Sequence, residues 1–149
     1  YLINNMSIFQ NLSEYEKKLL LDYPIYISLL AANKDGELDE VEKKAAIELY
    51  KTKINVSNPL LEDYYSLEED EFEYRLLEMD AKLPKERTIR DTVIKKELEY
   101  LSNVLLKLDE KYSEALIVSM QTFKEHVSKA HRNTLLSFIF PMPISGLSD

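Results

Sequence analysis

Two glycines and five prolines are all that interrupt 149 residues, too few breakers for the many tight turns of a hairpin-rich fold. Apolar side chains recur instead at steps of three and four almost throughout, and on a helix of 3.6 residues per turn such steps fall on one face. The predicted fold class is therefore all-α. At 149 residues and 45% hydrophobic, the chain is the size of one ordinary domain, able to bury about 70% of its unfolded surface. The expectation is a single-domain bundle of about six or seven helices over residues 13–137, after a leader over 1–12 and before an extended tail over 138–149.

Local signals place the helices. Ser13 and Glu16 have the spacing of a capping box and open a first helix with Leu12, Tyr15 and Leu19 on one side. Pro24 suits the first turn of a second helix, expected from Pro24 to about Asn33 and apolar nearly all round, hence the buried centre of the fold. A third runs from about Asp39 to Lys53 with Val41, Ala45 and Leu49 on one face, and Asn58-Pro59 caps a short fourth. Ser66 and Glu69 read as another capping box, opening a helix with Phe72, Leu76, Met79 and Leu83 inside, which Pro84 ends.

From Lys85 to Phe140 there is neither glycine nor proline, which allows one very long helix or a pair. The series Ile94, Leu98, Leu101, Leu105, Leu108, Tyr112 is one residue out of phase with Leu116, Met120, Phe123, Val127, Ala130, Thr134. A one-residue skip rotates the apolar stripe by about 100°, so a turn is expected near Asp109 to Ser113 and the chain should form a long C-terminal helix pair. The stretch Phe138 to Ile144 alternates prolines with large apolar groups and is expected to be extended, packing across its own bundle or into a groove of another chain. Tyr1 to Asn5 read as leader residues or as an addition ahead of a natural start at Met6.

Composition removes several function classes. The net charge of −8 opposes nucleic-acid binding, which needs a concentrated cationic surface; Lys43, Lys44, Lys51 and Lys53 are the nearest approach to one, diluted by glutamates. The absence of cysteine excludes disulfides and thiolate sites. No apolar run approaches the roughly 20 residues of a membrane span, and the N-terminus has no signal-peptide pattern, so a cytoplasmic protein is expected. With only Gly36 and Gly146, a P-loop or dinucleotide fingerprint cannot be built. His126 and His131 stand about 140° apart around a helix and cannot chelate one ion together. The acidic run Glu68, Glu69, Asp70, Glu71, Glu73 reads as a solvated helix start. No serine has a recognisable base, so no small-molecule substrate and no catalytic residue is assigned, and the chain is expected not to be an enzyme.

The candidate site is the segment Asn33 to Glu42, NKDGELDEVE. With Gly36 at the sharp turn of a calcium-loop template, Asn33, Asp35, Asp39 and Glu42 fall on ligand positions that supply the oxygen donors a hard cation such as Ca2+ or Mg2+ takes, and the Glu37 carbonyl can support them. The first template position is Ala31, where a ligating aspartate belongs, which disfavours a standard EF-hand. The same letters also read as caps: Gly36 ending the second helix, and Asp39 with Glu42 forming a capping box at the start of the third, a cap being worth about 1 kcal/mol.

The stretch YPIYISLLAANKDGELDEVEKKAAIELY, Tyr23 to Tyr50, resembles the first helical hairpin of TerB-like domains, the tellurite-resistance TerB family and the N-terminal domain of DjlA-type co-chaperones. Ala32, Asp35, Gly36, Asp39 and Glu42 match the A-x-x-D-G-x-x-D-x-x-E pattern that ends the apolar helix in that family; no second such hairpin follows. The resemblance implies a compact all-helical, non-enzymatic module, stress-associated, often at the membrane surface as a peripheral protein, with acidic loop residues that meet divalent cations. The alternative is a structural or protein–protein interaction domain without metal, acting through its acidic helix, heptad-like seam or tail on a protein partner or a second copy.

Overall fold

A computed structural model describes residues 9–32, 38–56 and 58–139, with the backbone alone for 54–56 and 131–139. Within these residues the protein is all-α: α1 Glu14–Leu21, α2 Tyr23–Ala31, α3 Glu40–Val56, a 3₁₀ turn Pro59–Leu61, α4 Glu62–Leu67, α5 Phe72–Lys82, α6 Arg87–Leu105 and α7 Glu110–Ile139. No helix among the described residues is long and apolar enough to cross a membrane.

The Ser13 capping box forms as its spacing predicts. The Glu16 amide donates to Ser13 Oγ at 3.1 Å and the Ser13 amide to Glu16 Oε1 at 2.8 Å. Leu12 and Leu19 are buried but Tyr15 is exposed, because its hydroxyl reaches across to Glu97 Oε2 on α6 at 2.8 Å. That bond to a carboxylate raises the Tyr15 phenol to about 12. Phe9 and Leu12, within the stretch read as leader, are part of the core.

Asp22 is the hinge between α1 and α2. Its amide closes α1 on the Lys18 carbonyl and its own carbonyl accepts from Ile25 and Tyr26 to open α2, while Pro24 occupies the first turn, where a missing N–H costs nothing. Helix α2 is apolar on every side and accordingly packs against α1, α5, α6 and α7. It stops at Ala31, short of Asn33, and Ala32 turns extended with ψ of 142°.

The expected break at Ser66 is not where the chain breaks. Ser66 lies inside α4 and its hydroxyl donates to the Glu62 carbonyl at 2.9 Å; the chain turns over Glu68–Glu71 and α5 begins at Phe72. Tertiary anchoring decides this. Tyr64 donates to the Leu20 carbonyl at 2.5 Å and Tyr65 bonds the Ser119 hydroxyl of α7, and the two buried phenols fix α4 around them. Helix α3 runs past Lys53 to Val56, and the Asn58 side chain caps the 3₁₀ turn by accepting from the Leu60 amide at 2.9 Å. Pro84 forces Leu83 into extended geometry and ends α5, as predicted.

The long C-terminal region is two helices, and the turn between them covers Leu106–Asp109, just ahead of the expected place. Asp109 accepts from the Tyr112 amide at 3.2 Å and Ser113 donates to the Leu105 carbonyl at 2.8 Å, closing both helix ends. The phase skip has a packing cause: α6 lies chiefly on α1 and α2, whereas α7 lies on α2 and α3, so the two stripes face different partners. Helix α7 continues through Phe138 and Ile139, two positions into the segment expected to be extended; residues 140–149, like 1–8, lie outside the described residues. Where α3, α4, α5 and α7 meet, Tyr50 stacks on Phe72 at 4.1 Å between ring centroids, with Tyr65 edge-on to Tyr50 at 5.2 Å and Phe123 beside them. Truncating one such buried ring costs about 3–5 kcal/mol.

Candidate functional site

Of the four predicted ligands, Asn33 and Asp35 lie outside the described residues, as do Gly36 and Glu37. Asp39 and Glu42 are brought together at the head of α3, and each serves the other's backbone. The Glu42 amide donates to Asp39 Oδ1 at 2.8 Å, the Asp39 amide to Glu42 Oε1 at 3.2 Å, and the Asp39 carbonyl takes the first helical bond from Lys43 at 2.9 Å. This is the reciprocal capping geometry that the D-x-x-E spacing permits. Glu42 is fully buried and Asp39 half-buried. Among the described residues no group of three or more His, Cys, Asp or Glu side chains gathers as a metal-binding cluster.

Two arginines that no sequence pattern singles out hold this end of the molecule. Arg87, on α6, donates to the carbonyls of Ala32 at 2.6 Å and Leu30 at 3.2 Å, and Ser128 of α7 donates to Ala31 at 3.3 Å. Three of the carbonyls at the α2 C-terminus thus find partners on other helices, which is how a buried helix end avoids the cost of unmet acceptors. Arg90 is 2% exposed; it pairs with the Asp80 carboxylate of α5 and donates to the Asp80 and Pro84 carbonyls at 3.2 Å each. Asp80 Oδ1 also accepts from the Leu38 amide at 3.2 Å, so the backbone two residues ahead of α3 is tied to the same ion pair.

A second polar centre lies at the opposite end of α2. Arg75 of α5 pairs with buried Asp22 and, at 3.0 Å, with Glu68. Burial raises the pKa of both carboxyls, and the attraction of Arg75 opposes the rise without cancelling it. Glu68 therefore departs from the solvated acidic run expected of it, whereas Glu69, Asp70, Glu71 and Glu73 are exposed. Above this centre opens a cleft of about 400 Å³ between α1 and α5, lined in part by Lys18, Asp22, Tyr74 and Arg75. Its charges of both signs largely serve one another.

The third feature is a groove of about 400 Å³ between the 3₁₀ turn and the first turns of α7. Leu61 and Ala115 lie along it, Leu60 and Val118 form its walls at 49% and 61% exposure, and Lys53, Lys111 and Glu114 edge it. Ile117 extends the exposed apolar surface on α7. The 3₁₀ turn is what leaves Leu60 outside: the Asn58 cap and Pro59 fix three residues in a tight turn that buries Leu61 and turns Leu60 away. Burial pulls the Lys53 ammonium below its ordinary pKa, and among the described residues neither Lys53 nor Lys111 lies in ion-pair range of a carboxylate. No pattern in the sequence marked this groove, because Leu60, Ala115 and Val118 are ordinary residues until the 3₁₀ turn is laid against α7. Protein-family models, curated proteins and solved structures return no match to this chain.

Proposed function

We propose that this chain is a non-enzymatic helical binding module that works by docking a protein segment in the groove between the 3₁₀ turn and α7. The observation that carries the reading is the combination of exposed Leu60 and Val118 with two lysines, Lys53 and Lys111, that make no ion pair among the described residues. Apolar walls with a few charged groups at the edge describe a site that gains affinity from burial and orientation from charge. Such a volume admits one or two large side chains, not an extended cofactor. The resemblance of Tyr23 to Tyr50 to the first TerB-like hairpin accords with a binding module. A fluorescent dye with an aromatic body and a sulfonate, 1-anilinonaphthalene-8-sulfonate, has the matching chemistry. Its fluorescence should rise with the intact chain and fall at least tenfold with Leu60→Ser and Val118→Asp combined at unchanged helical circular dichroism. Equal binding by both proteins would remove the groove as the site.

A divalent-cation loop is the second reading, favoured by the meeting of Asp39 and buried Glu42 at the head of α3. Here Asn33 and Asp35 would complete an oxygen ligand set for Ca2+ or Mg2+. Thermal unfolding in chelator and then in millimolar cation tests it, since ligand at 100 times its dissociation constant adds about 2.7 kcal/mol. A rise in the intact chain that Asp35→Asn loses supports the loop; identical responses from the two proteins count against it.

A further inference from the structure

We propose that a second cleft, between α3 and the start of α5, binds a small organic cation, a primary ammonium on a short apolar stem. The stem lies along Ile47, Tyr50 and Phe72, and the ammonium meets the carboxylates of Glu69, Asp70 and Glu73 and the Tyr50 hydroxyl. The cleft holds about 220 Å³ and is lined by these residues together with Lys51. It is separate from the groove beside the 3₁₀ turn and stands independently of it. Three carboxylates line it against one ammonium, and none of the four makes an ion pair among the described residues. A cleft lined mainly by one sign of charge concentrates ligands of the other.

Acids at the start of a helix complement its dipole, which by itself accounts for their position. It does not account for Tyr50. That residue is 2% exposed and its ring is packed against Tyr65, Phe72 and Phe123. The hydroxyls of Tyr64 and Tyr65 in the same region are both hydrogen-bonded, whereas the Tyr50 hydroxyl makes no hydrogen bond among the described residues. Nor is it sealed from solvent, as the unpaired Tyr112 hydroxyl is. With the ring enclosed, the hydroxyl is the part of Tyr50 that meets the cleft. Burial first, then Glu68, pushes the phenol up, with Glu69 adding to the rise and Arg75 opposing it. The group is therefore a neutral hydroxyl, able to accept from an ammonium. A bare metal ion matches less well, because among the described residues no three acids gather closely enough to hold one. An amine on an apolar stem uses both the apolar floor and the separated carboxylates.

The test is a nuclear magnetic resonance titration of the full chain with 1,4-diaminobutane, read at the backbone amides of residues 47–51 and 69–73. Shifts should saturate there with a dissociation constant of about a millimolar, in keeping with so small a ligand. Glu69→Gln with Glu73→Gln should weaken binding about tenfold as charge-assisted bonds are lost. Tyr50→Phe, which keeps the ring, should weaken it about threefold, the worth of one hydrogen bond. The alcohol 1,4-butanediol should leave the same amides unmoved. N-acetyl-lysine methylamide carries the same ammonium on a stem of the same length: binding as tight as the diamine or tighter assigns the site to a lysine side chain of a partner, and weaker binding assigns it to a free amine. Equal shifts from 1,4-butanediol, or from magnesium chloride at matched ionic strength, overturn the organic cation. So does a titration without saturation, or undiminished binding in the Glu69 and Glu73 variant, whose two positions are exposed and whose fold circular dichroism checks. Undiminished binding in Tyr50→Phe overturns the part given to the hydroxyl.

Discussion

Arg75 and Arg90 are both arginines of the bundle interior, each tied to carboxylates from other parts of the chain, yet the number of acids they meet differs. Arg90 meets one carboxylate, Asp80, and spends its remaining donors on the Asp80 and Pro84 carbonyls. Arg75 meets two carboxylates, Asp22 and Glu68, so one guanidinium is shared between two acids, with Lys18 a further cation acting on Asp22. The consequence is visible in the acids: burial raises Asp22 and Glu68, with Arg75 only partly opposing it. One guanidinium closes a one-to-one joint near the C-terminal end of α2, and the other holds a joint with two acids at the α1–α2 hinge. A buried arginine thus means different things according to how many acids share it.

The largest expected effect breaks the one-to-one joint. Arg90→Ala takes the counter-charge from Asp80 and a donor from two carbonyls where Arg90 itself is buried, and loss of one partner of a buried pair costs about 3–5 kcal/mol. Urea unfolding should show the midpoint collapse, and acid should do little to restore it because the two carbonyls cannot be satisfied by protonation. Arg75→Ala should cost less, about 2 kcal/mol, the worth of hydrogen bonds to charged groups at a partly exposed site, and the loss should shrink on acidification as Asp22 and Glu68 take up protons. Equal, pH-independent losses in the two variants would erase the distinction between the joints.

Much of the fold was legible because its determinants are local. Ser13 with Glu16, Asp39 with Glu42, Asn58 with Pro59, and Leu83 before Pro84 all act within four residues, and each does what its spacing allows. The phase skip after Tyr112 likewise revealed two helices. What spacing could not show is chemistry between residues far apart in sequence: Arg87 reaching Ala32, Arg75 reaching Asp22, Ser128 reaching Ala31. Ser66 misled for the same reason, since Tyr64 and Tyr65 are anchored by Leu20 and Ser119 and carry α4 through it. The segment Asn33 to Glu42 supported two readings at once, because a cap and a ligand set ask for the same carboxylates three residues apart. Within the described residues, Asp39 and Glu42 form the cap.

A medium-sized effect follows at that cap. Asp39→Ala removes the acceptor for the Glu42 amide and should cost about 1 kcal/mol, whereas Asp39→Ser should retain most of it. Thermal midpoints of the two variants measure the difference. A loss several times larger in Asp39→Ala would show that the segment joining α2 to α3 depends on more than the cap.

The smallest effect sharpens the comparison most, because its sign is opposite. Glu68→Gln keeps an acceptor for Arg75 and removes the second carboxylate charge, so it should stabilise the chain at neutral pH by less than about 1 kcal/mol. The pH dependence fixes the interpretation. A carboxyl whose folded pKa lies above its unfolded value holds its proton more tightly in the native state. Its favourable contribution is complete below the unfolded value and is lost as pH rises through the folded one. For Glu68 that window opens at its ordinary value of 4.5 and extends upward; for Asp22 it opens at 3.8. Glu16, lowered by its hydrogen bond to Lys107, works in the other direction, so the intact chain alone does not isolate the effect. The difference between intact chain and Glu68→Gln does: it should be near zero at the acid end of the window and grow toward neutrality in favour of the variant. A variant less stable than the parent at pH 7 would mean that Glu68 serves Arg75 as a needed counter-charge, making the hinge a balanced network like the Arg90 joint.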